Sequence, residues 1–466
     1  MYQMLIDGEL VDGSASLDVV NPVTGQAFAT CGRAEEDDLQ RAVAAARNAF
    51  PGWAALSWTE RAVYLNALAD GIEERGEEIA QLLTDEQGKP LGQARFEVGA
   101  SVAAFRYFSA QEMLPRVVVD EPTSRVIEHY RPIGVVAAIT PWNFPLILLS
   151  VKLAAALATG NTVVAKPAPT TPLSSLLVGE VAAAILPAGV LNVIVDANDL
   201  GGLLSAHPDV AKVTFTGSTA TGKKVMQSAA SSLKRLTLEL GGNDAAILLD
   251  DVDVDEVAPQ IFNAATFNAG QVCMAAKRIY APRAKYDALC DALANLANSA
   301  VVGDGHDPAT AIGPIQNQMQ FDKVMDLIED SRRIGTIVAG GRRLNRPGFF
   351  IAPTVVRDLP DDARLVQEEQ FGPVIPVLAY DDIEEVLERA NDSEFGLAGT
   401  VWGKDVDRAV EVAMRIRTGT VWVNKHLDLR FDVAFGGVKQ SGIGREQGDD
   451  GLREFVETHV VSIAKA

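Results

Sequence analysis

The sequence predicts an α/β protein with two parallel-sheet units, and three observations carry that expectation. Short β-rich runs alternate with helical stretches from 134 to 240, and the same alternation resumes after 245. The runs are apolar throughout, as expected of parallel strands covered on both faces by helices. A length of 466 residues leaves room for two or three domains of about 150 residues, each with a sizeable core.

The elements follow in order. Residues 35–115 read as helices: EEDDLQRAVAAARNAF opens with acids in its first turn and repeats apolar positions at helical spacing, and TERAVYLNALADGIEERGEEIAQLL does likewise, with Thr59 as its N-cap. RVVVDEPTSRVIEHYRPIG (116–134) alternates, contains two prolines and reads as a β-hairpin arm. GVVAAIT (134–140) is a strand, LILLSVKLAAALATG a helix ending at Gly160, NTVVAKP a strand, and PLSSLLVGEVAAAI a helix with Pro172 near its start. VLNVIVD, AKVTFTG and LKRLTLEL are further strands, with a helix after Gly217. Beyond 245, AAILL, KRIYA, TIVAG, VIPVLAY and GTVWVN are strands, and helices cover 255–268, 284–300, 320–333 and DDIEEVLERA. VVSIAKA at the C-terminus is a lone strand. It and the hairpin lack an obvious sheet of their own, which predicts pairing across a subunit boundary.

Composition excludes several classes. The 41 Lys+Arg against 62 Asp+Glu leave a net charge of −21, which repels phosphate backbones and anionic lipid surfaces, so neither nucleic acid nor a membrane is an expected partner. Cysteines at 31, 273 and 290 make neither a disulfide framework nor a spaced metal site, so no metal is expected and the chain fits a reducing cytoplasm. The N-terminus shows no basic segment followed by an apolar one, so it does not read as a secretory signal. The most apolar region, 133–165, is broken by Pro141, Asn143, Pro145 and Lys152, well short of a membrane span.

Five strings carry chemistry. FTGSTATG (215–222) sets Gly217, Ser218 and Gly222 at a strand-to-helix junction, where backbone N–H groups and the helix dipole suit a phosphate; the alternative is a glycine-permitted turn with a hydroxyl cap. In NAGQVCMAAKRIY (268–280), Gly270 and Gln271 allow a tight backbone just before Cys273, a candidate nucleophile; Cys31 and Cys290 read as small core residues. At a reference pKa near 8.5 only about 3% of such a thiol is ionised at pH 7, so it needs a base or an electropositive setting. Glu239, ending a buried strand in LTLELGGN, is a candidate base or else an ion-paired glutamate. PWNFP (141–145) follows a strand's C-terminal end, where ligands sit in open α/β sheets. Its Asn143 offers an N–H to a developing oxyanion, or else makes a turn bond to its own backbone. Lys166 in AKPAP also ends a strand, with a solvated lysine as the alternative.

PWNFP, AKPAP, FTGST, LELGGN, GQVC, EEQFGPV (368–374), NDSEFGLAGTVW (391–402), VWVN (421–424) and FGGVKQSGIGRE (435–446) occur in that order. Any one is weak, but the ordered set resembles the aldehyde dehydrogenase superfamily, NAD(P)-dependent and non-phosphorylating, over nearly the whole chain. The resemblance implies a Rossmann-like cofactor domain (1–115 and 134–241), an α/β catalytic domain (242–440) and a small β oligomerisation arm (116–133 and 447–466) that builds a homodimer or homotetramer. It places the nucleophile on Cys273, the general base on Glu239 and the oxyanion amide on Asn143, aided by the Cys273 backbone N–H. Lys166 matches the lysine at the adenosine ribose, Gly217 and Ser218 the pyrophosphate turn, and Glu369 the glutamate at the nicotinamide ribose, with Phe371, Trp142 and Ile139 lining the same cleft. Relatives that pass the acyl group to coenzyme A generally lack the glutamate, so Glu239 favours hydrolysis.

The chain departs from the family pattern in three places. Pro169 stands where NAD-preferring members often carry a ribose-binding Glu, leaving NAD against NADP open. Asn243 stands where Lys is common and Ala434 where Pro is common. The positions matching the aldehyde tunnel are Leu148, Val151, Phe267, Val272, Met274, Leu427 and Leu429, an apolar lining that predicts an aromatic, terpenoid or medium-chain aldehyde. Val151 replaces the arginine of succinate-semialdehyde enzymes and the aromatic ring of betaine-aldehyde enzymes. Arg430 keeps open a small acidic semialdehyde, and a cysteine hydrolase or acyltransferase using Cys273 with His426 is the alternative from another class.

Overall fold

The computed structural model describes residues 1–465; residue 466, the last of the expected arm, lies outside them. Two sheets organise the chain. The first runs, from one edge to the other, Gly442–Ile443, Arg235–Glu239, Val210–Thr216, Val135–Ile139, Thr162–Lys166, Leu191–Val193, Met4–Ile6 and Glu9–Val11. Its five middle strands are parallel and its edges antiparallel. Strand order reverses between Val135–Ile139 and Val210–Thr216, so the crevice outside their carboxyl ends is a topological switch point. Register puts Ile139 opposite both Lys166 and Phe215, and Thr216 opposite Glu239. Four strands therefore end within one residue of a common row.

The second sheet orders Thr336–Ala339, Thr354–Arg357, Val374–Tyr380, Ala276–Pro282, Asp244–Leu248, Ala398–Trp402 and Thr420–Val423, parallel except for the first pair. Ala245 and Ile247 enter one core cluster and Ala246 and Leu248 another, so consecutive side chains are buried on opposite faces. That explains why these strands read as largely apolar runs.

The third sheet, of order Val456–Ala464, Ser124–Pro132, Arg116–Glu121, corrects one expectation. The hairpin and the C-terminal strand pair with each other, from Val456 opposite Pro132 to Ala464 opposite Ser124. They need no second subunit to form a sheet. Residues 448–453 are helical, and Leu452 and Phe455 join the core of the first unit, so the C-terminal strand of this sheet begins at Val456.

The helical region holds four helices: Glu36–Ala54, Trp58–Glu74, Gly76–Gln87 and Leu91–Ser109. Ser57 caps the second, accepting from the Glu60 N–H while the Glu60 carboxylate accepts from the Ser57 N–H. Thr59 lies within that helix. The capping box, Ser57 with Glu60 three residues on, overrides the later threonine. Among the described residues no helix is long and apolar enough to cross a membrane.

Candidate active site

A cleft of about 810 Å³ opens outside the carboxyl ends of the first sheet and reaches the second unit. Ile139, Trp142, Asn143 and Lys166 line it from strand ends, Gly217 and Ser218 from the turn into helix Thr219–Ala229, and Glu369 and Phe371 from the second unit. Cys273 opens into the same space.

Ser218 is the helix N-cap: its hydroxyl accepts from the Thr221 N–H at 3.2 Å, and both residues line the cleft at the start of the helix, whose other first-turn N–H groups have no partner within the helix. The buried hydroxyls of Thr140, Thr170 and Thr216 also line the cleft and have no partner within the chain. Lys166, Lys224 and Lys323 are its lysines and Glu369 its single carboxylate. Orphaned hydroxyls, an open helix N-terminus and a lysine majority suit a phosphorylated dinucleotide. Lys166 is not a solvated lysine; it is buried, and its Nζ donates to Asp196 Oδ1 at 2.5 Å. Two of the three ammonium hydrogens remain for other acceptors.

The loop leading to Cys273 is bent sharply. Asn268, Ala269 and Gly270 have φ of 51°, 56° and 73°, three left-handed residues in succession. Two of them are not glycine, a strained run of a kind that collects at functional sites. Gly270 admits no side chain, since a Cβ there would lie 2.3 Å from the Gly372 carbonyl oxygen. Asn268 holds the bend by donating Nδ2–H to the Asn143 carbonyl at 2.9 Å. Lys89 Nζ donates to the same oxygen at 2.9 Å and is itself paired with Glu97 at 2.5 Å. The Asn143 amide donates to the Gln271 carbonyl at 2.9 Å, a bond to the loop before Cys273 rather than to its own turn. An amide nitrogen carries two hydrogens, so one remains free to donate elsewhere.

Burial pushes the Cys273 thiol up to about 12; the Lys277 ammonium opposes this, while Glu369, Asp244 and Glu239 add to it. Glu239 is buried and neither carboxylate oxygen has a partner. Burial, then the nearby Glu446 carboxylate, raises it well above the usual carboxylate range against Lys152 and Arg445. Its side chain lies beside Gly436, where a Cβ would come within 2.9 Å of Oε1.

Of the apolar positions, Leu148 lines the cleft. Val151 and Val272 are buried, and Phe267, Met274 and Leu427 are partly buried. Phe267 stacks on Phe144 with ring centroids 6.3 Å apart and planes 12° apart. Leu429 is exposed, and Arg430 is an exposed arginine bound to Asp432 at 2.7 Å. His426 does not face the thiol as a base would: its Nε2 bonds the Met274 carbonyl at 2.7 Å, and burial lowers it to about 4. Cys31 and Cys290 are free and buried.

Sequence reading missed Lys277, Lys89 with Glu97, Lys152 with Glu446, and Asp196. One signal was available: KR in AAKRIYAP puts charge into an otherwise apolar strand.

A cleft at a switch point, lined to suit a phosphorylated dinucleotide and open to one cysteine, is the arrangement of a nucleotide-dependent oxidoreductase. The Aldehyde dehydrogenase family profile matches residues 10–461, and the chain belongs to that family. It is an enzyme that oxidises aldehydes with NAD or NADP. The chain is 40% identical over 450 residues to geranial dehydrogenase of Castellaniella defragrans, covering 94% of this chain and 93% of that protein. It is 39% identical over 471 residues to a mitochondrial aldehyde dehydrogenase of Leishmania tarentolae, covering 99% and 95%. The NAD+ complex of an aldehyde dehydrogenase from Bacillus cereus superposes with a TM-score of 0.97 at 39% identity, covering 99% of this chain and 96% of that one. A betaine aldehyde dehydrogenase from Staphylococcus aureus in complex with NAD+ gives 0.96 at 35%, covering 99% and 95%.

Proposed function

We propose that the protein oxidises a hydrophobic aldehyde, aromatic, terpenoid or medium-chain, to its carboxylic acid through a thioester on Cys273. The observation that carries this reading is that the Cys273 thiol and the Asn143 amide line one cleft suited to a dinucleotide, while the buried, unpartnered Glu239 carboxyl, outside the cleft lining, is near enough to oppose ionisation of that thiol.

The Cys273 thiolate adds to the aldehyde carbon, and the carbonyl oxygen becomes an oxyanion. The second Asn143 amide hydrogen and the Cys273 backbone N–H donate to it, each such donor contributing about 3–4 kcal/mol in the transition state. A nicotinamide held by the cleft residues would supply the hydride acceptor for this carbon. The Cys273 thioester that remains needs water. Glu239, with its proton affinity raised by burial, takes a proton from that water as it attacks the acyl carbon, and the thiol leaves as the acid is released.

Ile139, Trp142, Lys166, Gly217, Ser218, Glu369 and Phe371 are assigned to the cofactor. With Pro169 at the ribose position and Lys224 in the cleft, the lining's one carboxylate, Glu369, being assigned to the nicotinamide end, no carboxylate is expected beside a 2′-phosphate, and both NAD and NADP are accepted. The eight-stranded unit binds the cofactor and the seven-stranded unit carries the nucleophile. The three-stranded sheet is the oligomerisation arm: the outer edges of Val456–Ala464 and Arg116–Glu121 are unpaired, the arrangement a homodimer or homotetramer would extend. The reading places the enzyme in the cytoplasm.

For the substrate, the Phe144–Phe267 stack and buried Val151 favour an apolar chain, and Arg430, held by Asp432 in solvent, is no anchor for an acid. The name of the geranial dehydrogenase relative points the same way. The test is a panel of aldehydes with NAD and NADP in parallel, followed at 340 nm. Fastest turnover with aromatic, terpenoid or medium-chain aldehydes is expected. Fastest turnover with succinate semialdehyde or betaine aldehyde overturns the substrate class, and no reduction with any aldehyde overturns the reaction.

A further inference from the structure

Lys277 opens strand Ala276–Pro282 and is 1% exposed. Its Nζ makes three bonds that join separate parts of the site: to the Gly242 carbonyl at 2.8 Å, to the Cys273 carbonyl, and to Glu369 Oε1 at 2.9 Å. The ammonium thus holds the nucleophile's own backbone with one hydrogen and the cleft's carboxylate with another. Glu369 is seated as tightly from the other side. Oε1 also accepts from the Gly242 N–H at 3.1 Å, and a Cβ on Gly241 would lie 2.2 Å from Oε2. Lys277 also lies 5.7 Å from the Phe371 ring centroid.

A buried ion pair is no efficient device for stability, because desolvation offsets much of the attraction and an apolar pair of similar volume does as well. A strand entrance needs no charge. The pair does have an electrostatic consequence where a thiol must ionise: a cation nearby favours thiolate and an anion opposes it.

We propose that Lys277 is a positioning residue that fixes the Cys273 backbone and forms with Glu369 a balanced charge pair that sets how readily the thiol ionises. This rests on the reading of Cys273 as the nucleophile and Glu369 as a cofactor residue. The other charged groups around the thiol are Asp244 and Glu239, both of which oppose its ionisation. Arg278, beside Lys277 on the strand, points its guanidinium at the Asn243 and Ala390 carbonyls, and His426 behind the loop is neutral. Lys277 is thus the cation whose loss leaves three carboxyl groups around the thiol unopposed, and Glu369 the anion whose loss leaves the ammonium unbalanced. The two removals have opposite signs.

The test is the rate of Cys273 alkylation by iodoacetamide in the cofactor-free protein from pH 6 to 10, read on the Cys273 peptide by mass spectrometry. Cys31 and Cys290 are buried and serve as internal controls. K277M is expected to slow alkylation at pH 8 tenfold or more and E369Q to speed it by a similar factor, each tenfold being one unit of thiol pKa. K277M should also weaken NADH binding, measured by fluorescence titration, because Glu369 loses its anchor. General damage to the fold moves both variants one way. Alkylation shifts of the same sign, or changes under threefold in both, overturn the proposal. If K277M does not fold, E369Q decides alone: a rate at or below that of the unsubstituted protein overturns it. The readout uses neither aldehyde nor turnover, so it can fail while aldehyde oxidation stands, and the reverse.

Discussion

Asn143→Ala separates an oxyanion donor from a structural tie. The amide donates one hydrogen to the Gln271 carbonyl, itself fully buried, across 2.9 Å. Removing it leaves that carbonyl unsatisfied, a loss of about 1–3 kcal/mol in stability. The bonds from Lys89 and Asn268 end on the main-chain oxygen of residue 143 and survive the substitution, so the turn keeps its shape. If the second hydrogen serves the oxyanion, the transition state loses a further 3–4 kcal/mol or so, and kcat falls by about 10²–10³. The assay is kcat and cofactor dissociation constant side by side with denaturant stability. The expected result is a drop in kcat of at least a hundredfold with cofactor binding within threefold of the unsubstituted enzyme. A kcat within threefold, together with the stability loss, refutes the oxyanion role and leaves Asn143 a structural residue.

Two further outcomes are expected. Pro169→Glu puts a carboxylate into the cleft where a ribose is expected, so kcat/KM with NADP should drop at least tenfold while NAD is retained or improved; equal effects on both cofactors contradict it. His426 is held neutral by burial, at about 4 against 6.5 when unfolded. The unfolded chain therefore takes up a proton first, and stability is full above about pH 6.5 and falls as pH drops towards 4. His426→Gln should shrink the stability difference between pH 7 and pH 4.5 by about 2–3 kcal/mol; an unchanged acid limb contradicts it.

The parts of the fold legible in the sequence are those set by local pattern. Strands Val135–Ile139 and Thr162–Lys166 are nearly continuous apolar runs and Val210–Thr216 and Arg235–Glu239 alternate apolar with polar residues, each closed by Gly, Pro or a charged residue, and they appear where the runs are. The strand ends were legible for the same reason, and their residues line or border one cleft. What stayed hidden is non-local. Nothing in AKPAP announces that Asp196, thirty residues on, takes a hydrogen of Lys166. Lys89 and Glu97 look like surface charges on a helical stretch until the fold buries both under PWNFP. The left-handed conformation of Asn268 and Ala269 has no signal in residue type beyond the neighbouring glycine. The arm was readable as strands but not in its pairing, because register between Ser124–Pro132 and Val456–Ala464 depends on a separation of more than 300 residues. Thr59 reads as a cap because two hydroxyl residues flank Trp58, and only the partner Glu60, three positions after Ser57, distinguishes them.

The central claim, acyl transfer to Cys273 with release by Glu239, is tested most directly by acid-quenching Glu239→Gln after mixing with NAD and a hydrophobic aldehyde. Neither Glu239 oxygen has a partner in the fold, so the amide replaces the carboxyl without breaking a bond. Loss of a general base slows release by about 10²–10⁴. The account predicts one equivalent of cofactor reduced in a burst, and the acyl mass on the peptide containing Cys273. Full-speed turnover with no acyl mass on Cys273, in protein whose thiol is intact, would contradict it.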